Sequence, residues 1–180
     1  RDYVAYEDIP DIMRDAIIAT EDVRFFKHNG IDPIRLVGAV LANITDGFGA
    51  EGASTITQQV VKNYFLSFDK TIERKAKEAW LAFQLEQKYT KEEIFEMYVN
   101  KIFMSENSHG IATAAKIYFG KPIGEIELHE AALIAGIPQS PNNYNPFTNP
   151  DKAEQRRNTV LSLMHQHGFI SEQEMKDAQA

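Results

Sequence analysis

Three short stretches of this 180-residue chain carry residue types that can do chemistry. The first reads Glu21-Asp22-Val23-Arg24-Phe25-Phe26-Lys27-His28-Asn29-Gly30. Helical spacing sets Ile17 and Ile18 a turn before Glu21 and Phe25 a turn after it. A carboxylate among apolar neighbours loses hydration, which disfavours its charged form and raises its pKa. That is the direction a general acid or base needs near neutral pH. The same residues also suit a solvated helix end with His28 at its favourable C-terminal pole. Spacing alone leaves both readings open.

The second stretch is Gly52-Ala53-Ser54-Thr55-Ile56-Thr57-Gln58-Gln59-Val60-Val61-Lys62-Asn63. Thr55, Gln58, Gln59 and Lys62 fall at i, i+3, i+4 and i+7 on one helical face, while Ile56 and Val60 face elsewhere. Amides, hydroxyls and an amine in one row suit sugar hydroxyls and amides. A helix N-terminus after a glycine-rich loop also favours anions. The plain alternative is a polar outer face with Ser54 as N-cap. The third stretch is Arg74-Lys75-Ala76-Lys77-Glu78. Three cations beside one carboxylate can bind a diphosphate, each charged hydrogen bond contributing about 1.5–3 kcal/mol. Glu78 would then orient those cations or position a metal. Otherwise Arg74 and Glu78 form an ordinary i, i+4 pair worth about 0.3–0.5 kcal/mol. Trp80 and Phe83 continue the apolar stripe of Ile72 and Ala76 and read as core.

The elements that must position these residues are helical almost throughout. Ile12, Ala16, Ala19 and Val23 form one stripe, predicting a helix from 11 to about 26. A second helix is predicted over 33–44, before a glycine-rich loop over 45–52 with freedom at positive φ. Further helices are predicted near 54–63 and 70–89, and another opens at the capping box Thr90-Lys91-Glu92-Glu93 and runs to about 104. Two short ones, 110–119 and 126–135, are each stopped by glycine (Gly120, Gly136). Residues 138–150 hold four Pro and four Asn, which makes them a turn-rich loop. A helix over 151–167 closes at Gly168, and Ser171 with Glu174 caps a last one. The fold class is therefore mostly α, with a smaller lobe around residues 45–70.

Composition narrows the chemistry. Hydrophobic residues make up 43% and charged residues 25%, ordinary for a globular protein with a real core. The absence of Cys excludes disulfides, thiolate zinc sites, iron–sulfur centres and a cysteine nucleophile, and leaves the redox compartment open. A net charge of −7 argues against nucleic acid as a partner, although local basic clusters matter more than the average. His109, His129, His165 and His167 lack metal spacing with a third ligand. Neither an 18-residue apolar run nor a signal peptide is present, and the chain begins Arg1-Asp2-Tyr3. It reads as an excised segment, which leaves room for a membrane anchor or partner domain outside it.

Taken together, the motifs resemble those of the peptidoglycan glycosyltransferases (glycosyltransferase family 51). Glu21-Asp22-x-x-Phe25-x-x-His28-x-Gly30, Gly52-x-Ser54-Thr55-Ile56-x-Gln58-Gln59-x-x-Lys62-Asn63 and Arg74-Lys75-x-x-Glu78 resemble the first three. Lys91-x-x-Ile94-x-Glu96-x-Tyr98-x-Asn100 is similar to the fourth, with Phe95 and Val99 where aliphatic residues such as Leu are more usual. Glu130-Ala131-Ala132-x-x-Ala135-Gly136-x-Pro138-Gln139-x-Pro141 and Tyr144-Asn145-Pro146 resemble the fifth. The segment looks most similar to the glycosyltransferase domain of a bifunctional class A penicillin-binding protein of Gram-positive type, with a monofunctional enzyme as the nearest alternative.

The resemblance implies one domain over 1–180, a lysozyme-like helical lobe with a small membrane-facing jaw lobe near 31–70. A transmembrane anchor and transpeptidase domain would lie outside the chain. It implies polymerisation of lipid II into β-1,4-linked glycan on the outer face of the cytoplasmic membrane, with release of undecaprenyl pyrophosphate. Glu21 would be the general base and Glu78 the second carboxylate. Lys62, Arg74, Lys75 and Lys77 would hold the diphosphate. Ser54, Thr55, Gln58, Gln59 and Asn63 would hold sugars and phosphates, and Asp22, Phe25 and His28 would shape the base's surroundings. Arg156 or Arg157 on the late helix would be a further cation, Arg156 being the one assigned to substrate binding. No cofactor is required on this reading, though a divalent cation such as Mg²⁺ can accompany the diphosphate. Implied partners are lipid II, the growing glycan, the membrane surface, the inhibitor moenomycin and other cell-wall synthesis proteins. Two other readings compete: a lysozyme-like muramidase or lytic transglycosylase, which needs no diphosphate pocket, and an inactive helical scaffold, which needs no shielded carboxylate.

Overall fold

A computed structural model describes residues 3–34, 54–65 and 72–180, with side chains for all of these except 65 and 72–74. The helix expected over 33–44 lies outside that range beyond Pro33 and Ile34, as does the loop over 45–52. The described elements are α1 (Asp11–Glu21), α2 (Ile56–Phe65), α3 (Ile72–Lys88), α4 (Lys91–Lys101), α5 (Ile111–Phe119), α6 (Leu128–Gly136), α7 (Pro150–Gln166) and α8 (Glu172–Gln179). Short 3₁₀ turns occupy Tyr6–Asp8, Ile123–Glu125 and Ile137–Gln139. Among the described residues no strand forms, and only Phe103 and His109 make an isolated antiparallel bridge. The mostly α expectation holds, and no described helix is long and apolar enough to cross a membrane.

The chain divides into two compact units, Arg1–Val23 with Val99–Ala180, and Arg24–Tyr98. The first is built around α6, which packs on α1, α5 and α7. Its inner face is Ala131, Ala132, Ile134 and Ala135, and small side chains there let neighbouring helices approach closely. Met13, Ala16, Ile17, Ile18 and Ala19 of α1 and Val160, Leu161 and Met164 of α7 complete the core. Glu127 and Glu130 form a capping box at the start of α6, and Lys121 Nζ donates to Glu130 at 2.9 Å. Burial pulls the Glu130 carboxyl up, but the Glu127 N–H and Lys121 outweigh it and hold the group below its usual range. The N-terminal segment is clipped by Asn100: Val4 N–H donates to its Oδ1 and its Nδ2 donates back to the Val4 carbonyl, both at 2.8 Å.

Gly136 does not stop α6 in a left-handed conformation, as expected from its position. It is right-handed and passes into the 3₁₀ turn. A Cβ there would meet Arg156 Cγ at 2.6 Å, so the glycine makes room for α7 rather than ending a helix. Gly120 does fill the expected left-handed C-cap. The capping boxes at Thr90–Glu93 and Ser171–Glu174 both form.

In the second unit, α2 packs on α3. Trp80 and Phe83 do not enter its core: they are 60% and 43% exposed and stack on each other at 6.2 Å. The buried face of α3 is instead Glu78, Ala82 and Leu85. Both faces follow the same i, i+4, i+7 spacing, so the period could not choose between them. The choice falls on the smaller side chains because the backbone of Gly30 lies against Ala82. A Cβ on Gly30, which has φ 107°, would sit 2.9 Å from the Ala82 carbonyl.

Candidate active site

Glu21 is the last residue of α1 and belongs to the first unit. The helix ends there, five residues short of the expected 26. Asp22 turns to extended backbone at φ −163°, while its N–H still donates to the Ile18 carbonyl at 3.1 Å. Ile17 and Ile18 are buried on the turn before Glu21, and its Oε1 is closed off from solvent. Asp22 is buried beside it.

Beyond Val23 the first motif is a turn, not a helix. Lys27 and His28 N–H groups both donate to the Arg24 carbonyl, at 2.8 and 3.2 Å. The turn places Phe25 in the core of the second unit against Phe95, with ring centroids 6.0 Å apart. Val23, freed from the helix, is exposed. His28 is buried; its Nδ1 accepts the Gly30 N–H at 3.1 Å and lies 3.4 Å from Lys91 Nζ. Arg24 pairs with the buried Asp32 at 3.2 Å.

The second motif starts α2, and its N-cap is Thr55, not Ser54. Thr55 Oγ1 accepts the Gln58 N–H at 3.0 Å, and Gln58 Oε1 accepts the Thr55 N–H at 2.9 Å, a complete capping box. The same hydroxyl donates to the Gly30 carbonyl at 2.6 Å, joining the first motif to the second. Capping thus occupies two residues of the expected sugar-binding strip. Gln59, Lys62 and Asn63 are half-buried on the helix that follows.

The third motif meets the second through Lys75. Its Nζ donates to Ser54 Oγ at 2.5 Å and to Glu78 Oε1 at 2.9 Å. Glu78 is 3% exposed, whereas the Lys75 side chain is 55% exposed. Lys77 is exposed as well. The Arg74 side chain lies outside the described residues. A solvent-facing cation held on an enclosed carboxylate can offer its remaining N–H to an anion.

One group of polar residues was not anticipated from spacing. Glu86 Oε2 accepts from Lys91 Nζ at 2.6 Å and from Thr57 Oγ1 at 2.8 Å, with His28 Nδ1 at 3.9 Å. Lys91 Nζ also sits 4.6 Å above the Phe25 ring. Glu86 and Lys91 are five residues apart across the break at Tyr89 and Thr90, where no helical pairing rule applies.

Arg156, in the first unit, lies with its guanidinium 5.5 Å over the Tyr144 ring and donates Nε to the Gly136 carbonyl at 3.2 Å. It lines a cavity of about 370 Å³ with Asn143, Lys152, Gln155 and Thr159. Among the described residues, ligand atoms of Glu127, His129 and Glu130 lie within 4.8 Å of one another. Both carboxylates of that group are used by the α6 cap and Lys121.

A transglycosylase family profile matches residues 1–165. The chain is 55% identical to penicillin-binding protein 1A/1B of Bacillus subtilis over 99% of its length, covering 20% of that protein. It is 45% identical to penicillin-binding protein 1A of Escherichia coli over 95% of its length, covering 20% of that protein. The crystal structure of penicillin-binding protein 1A from Haemophilus influenzae matches 99% of the chain with a TM-score of 0.61 and 29% identity. That match covers 17% of the solved chain, so the domain spans about a fifth of the length of the relatives it resembles. Those relatives support the expected lysozyme-like helical fold, and the chain belongs to the transglycosylase family.

Proposed function

We propose that this domain is a peptidoglycan glycosyltransferase that polymerises lipid II into β-1,4-linked glycan and releases undecaprenyl pyrophosphate. The observation that carries the reading is Lys75, which ties Ser54 of the second motif to the enclosed Glu78 of the third within a transglycosylase-family chain. Such a cation suits a leaving diphosphate, on which negative charge accumulates in the transition state. Lys62, Arg74 and Lys77 share that role, and Glu78 orients them. A divalent cation such as Mg²⁺, were it to accompany the diphosphate, would be held on the protein side by Glu78 and would offset charge on the leaving group.

Glu21 is the general base. It removes the proton from the 4-hydroxyl of the acceptor GlcNAc, and that oxygen attacks C1 of the MurNAc at the reducing end of the growing chain. The C1–O bond to the diphosphate breaks, so an α-linkage becomes a β-linkage in one displacement. The enclosed Oε1 beside Ile17 and Ile18 supports a carboxyl shielded from water in this role. Gln59 and Asn63 contact sugars and phosphates directly, while Thr55 and Gln58 act by holding the start of α2. Asp22, Phe25 and His28 shape the turn after the base, and Arg156 supplies a further cation. The domain works on the outer face of the cytoplasmic membrane, where the membrane surface, moenomycin and other wall-synthesis proteins are its partners.

Lipid II polymerisation in detergent tests the reading. Glu21→Gln is expected to lower the rate by at least about 10²-fold, the range for losing a general base. Near-normal polymer from that variant removes Glu21 from its role. Release of soluble fragments from purified sacculi would instead favour a hydrolase.

A further inference from the structure

Three consecutive residues of the first unit, none of them glycine, take positive φ: Ser105 at 67°, Glu106 at 51° and Asn107 at 56°. Left-handed backbone is costly for L-residues with a Cβ, and it persists only where the surroundings enforce it. Here they do. The Ser108 N–H and Oγ both donate to the Ser105 carbonyl, at 2.9 and 2.5 Å. Met104 N–H donates to the Ser108 carbonyl at 2.9 Å, and Tyr118 OH donates to the Met104 carbonyl at 2.5 Å. From across the turn, the buried Asn145 gives its Nδ2 to Ser105 Oγ at 3.1 Å and to Glu106 Oε2 at 2.9 Å.

What this arrangement produces is the edge of a cavity of about 420 Å³, lined by Phe103, Ser105, Glu106, Asn107, Asn142, Asn145 and Thr148. Its chemistry is specific in kind: one carboxylate held in place, three amides, two hydroxyls and one aromatic ring. Among the described residues no cation lines it, so a phosphate or carboxylate ligand finds no counter-charge from them. A neutral sugar fits better. Its hydroxyls donate and accept at once, which amides and hydroxyls can match, and a fixed carboxylate accepts from an acetamido N–H. The Phe103 ring offers an apolar face for a sugar face or an acetyl methyl.

We propose that this cavity is a binding subsite for an N-acetylated hexosamine unit of a glycan strand, with Glu106 as its principal acceptor. The identity of the strand rests on the glycosyltransferase reading above; the neutral-sugar chemistry rests on the cavity. The test is solution NMR of the whole chain with a GlcNAc tetramer, and with n-butylamine as a cationic comparator. Shifts at residues 103–107, 142, 145 and 148 are expected with the tetramer, at an affinity of about 1 mM. Glu106→Gln keeps the acceptor toward Asn145 but removes the charge; it should weaken binding at least about fivefold, roughly 1 kcal/mol, with an unchanged melting temperature. Phe103→Ala should weaken it as well. No shift at these residues at about 10 mM tetramer, shifts only elsewhere, or a response to the amine alone overturns the subsite. A domain that polymerises lipid II without binding the tetramer here loses only this inference. One that binds it here without polymerising loses only the proposed function.

Discussion

Among the described residues, the second unit contains two Lys–Glu pairs of similar length and different fate. Lys75 meets Glu78 at 2.9 Å with its own side chain 55% exposed. Lys91 meets Glu86 at 2.6 Å with a side chain 17% exposed, enclosed by Phe25, His28 and Thr57. In both pairs the carboxylate is enclosed, so the difference lies in the cation. Lys91 has spent its charge on satisfying the interior, while Lys75 keeps a face toward solvent where a ligand oxygen can bind. Proximity of opposite charges therefore says little about function until the exposure of each partner is known.

The largest effect that can break this comparison comes from the enclosed pair. Glu86→Ala strands the Lys91 ammonium and the Thr57 hydroxyl, and is expected to lower stability by about 3–5 kcal/mol, measured by urea unfolding. A loss under about 1 kcal/mol would mean that water enters the cluster freely. Gly30→Ala comes next, since its Cβ would press on the α3 backbone at a positive φ. We expect about 2–4 kcal/mol lost, together with weaker α2 docking, as read by hydrogen exchange at Thr55. Lys75→Ala sharpens the contrast from the other side. Stability should fall by about 1–2 kcal/mol, less than in Glu86→Ala, because the enclosed Glu78 loses one donor, while affinity for a diphosphate-bearing donor analogue falls about tenfold or more. Equal loss of stability in Lys75→Ala and Glu86→Ala variants would erase the distinction.

The smallest expected effect is a pH control from the first unit. Burial and then the nearby Glu106 carboxylate push the Tyr118 phenol up to about 12, against a weaker downward pull from Ser105. A raised folded-state value means the unfolded chain ionises first. The tyrosine's contribution is thus intact below about pH 10 and is lost as pH rises toward 12. Whatever alkaline destabilisation Tyr118→Phe abolishes belongs to that unit. Absorbance titration of the phenol gives the check, and ionisation near pH 10 would remove the argument.

Much of the scaffold was legible in advance because its signals are local. Thr90 with Glu93 and Ser171 with Glu174 close caps within one turn, and Gly120 stops its helix by its own backbone freedom. Phe95 and Val99, the departures in the fourth motif, are both fully buried, in keeping with a packing role. The misreadings share one cause. Trp80 and Phe83 read as core because they continue an apolar stripe, yet the Gly30 backbone selects the face bearing Ala82. Gly136 was read as a stop, yet its lack of a side chain serves Arg156, twenty residues away. The plain alternative that makes Ser54 the cap fails for the same reason: Thr55 takes that place and leaves Ser54 to Lys75.

By itself the sequence determined the helical class, most helix ends and the membership of the three chemical motifs, since each depends on side chains within a turn of one another. Tertiary structure alone decided which polar residues keep a solvent-facing charge and which are consumed by the interior. Exposure is a property of what packs against a side chain, and for Lys75, Lys91 and Glu86 those neighbours come from distant parts of the chain.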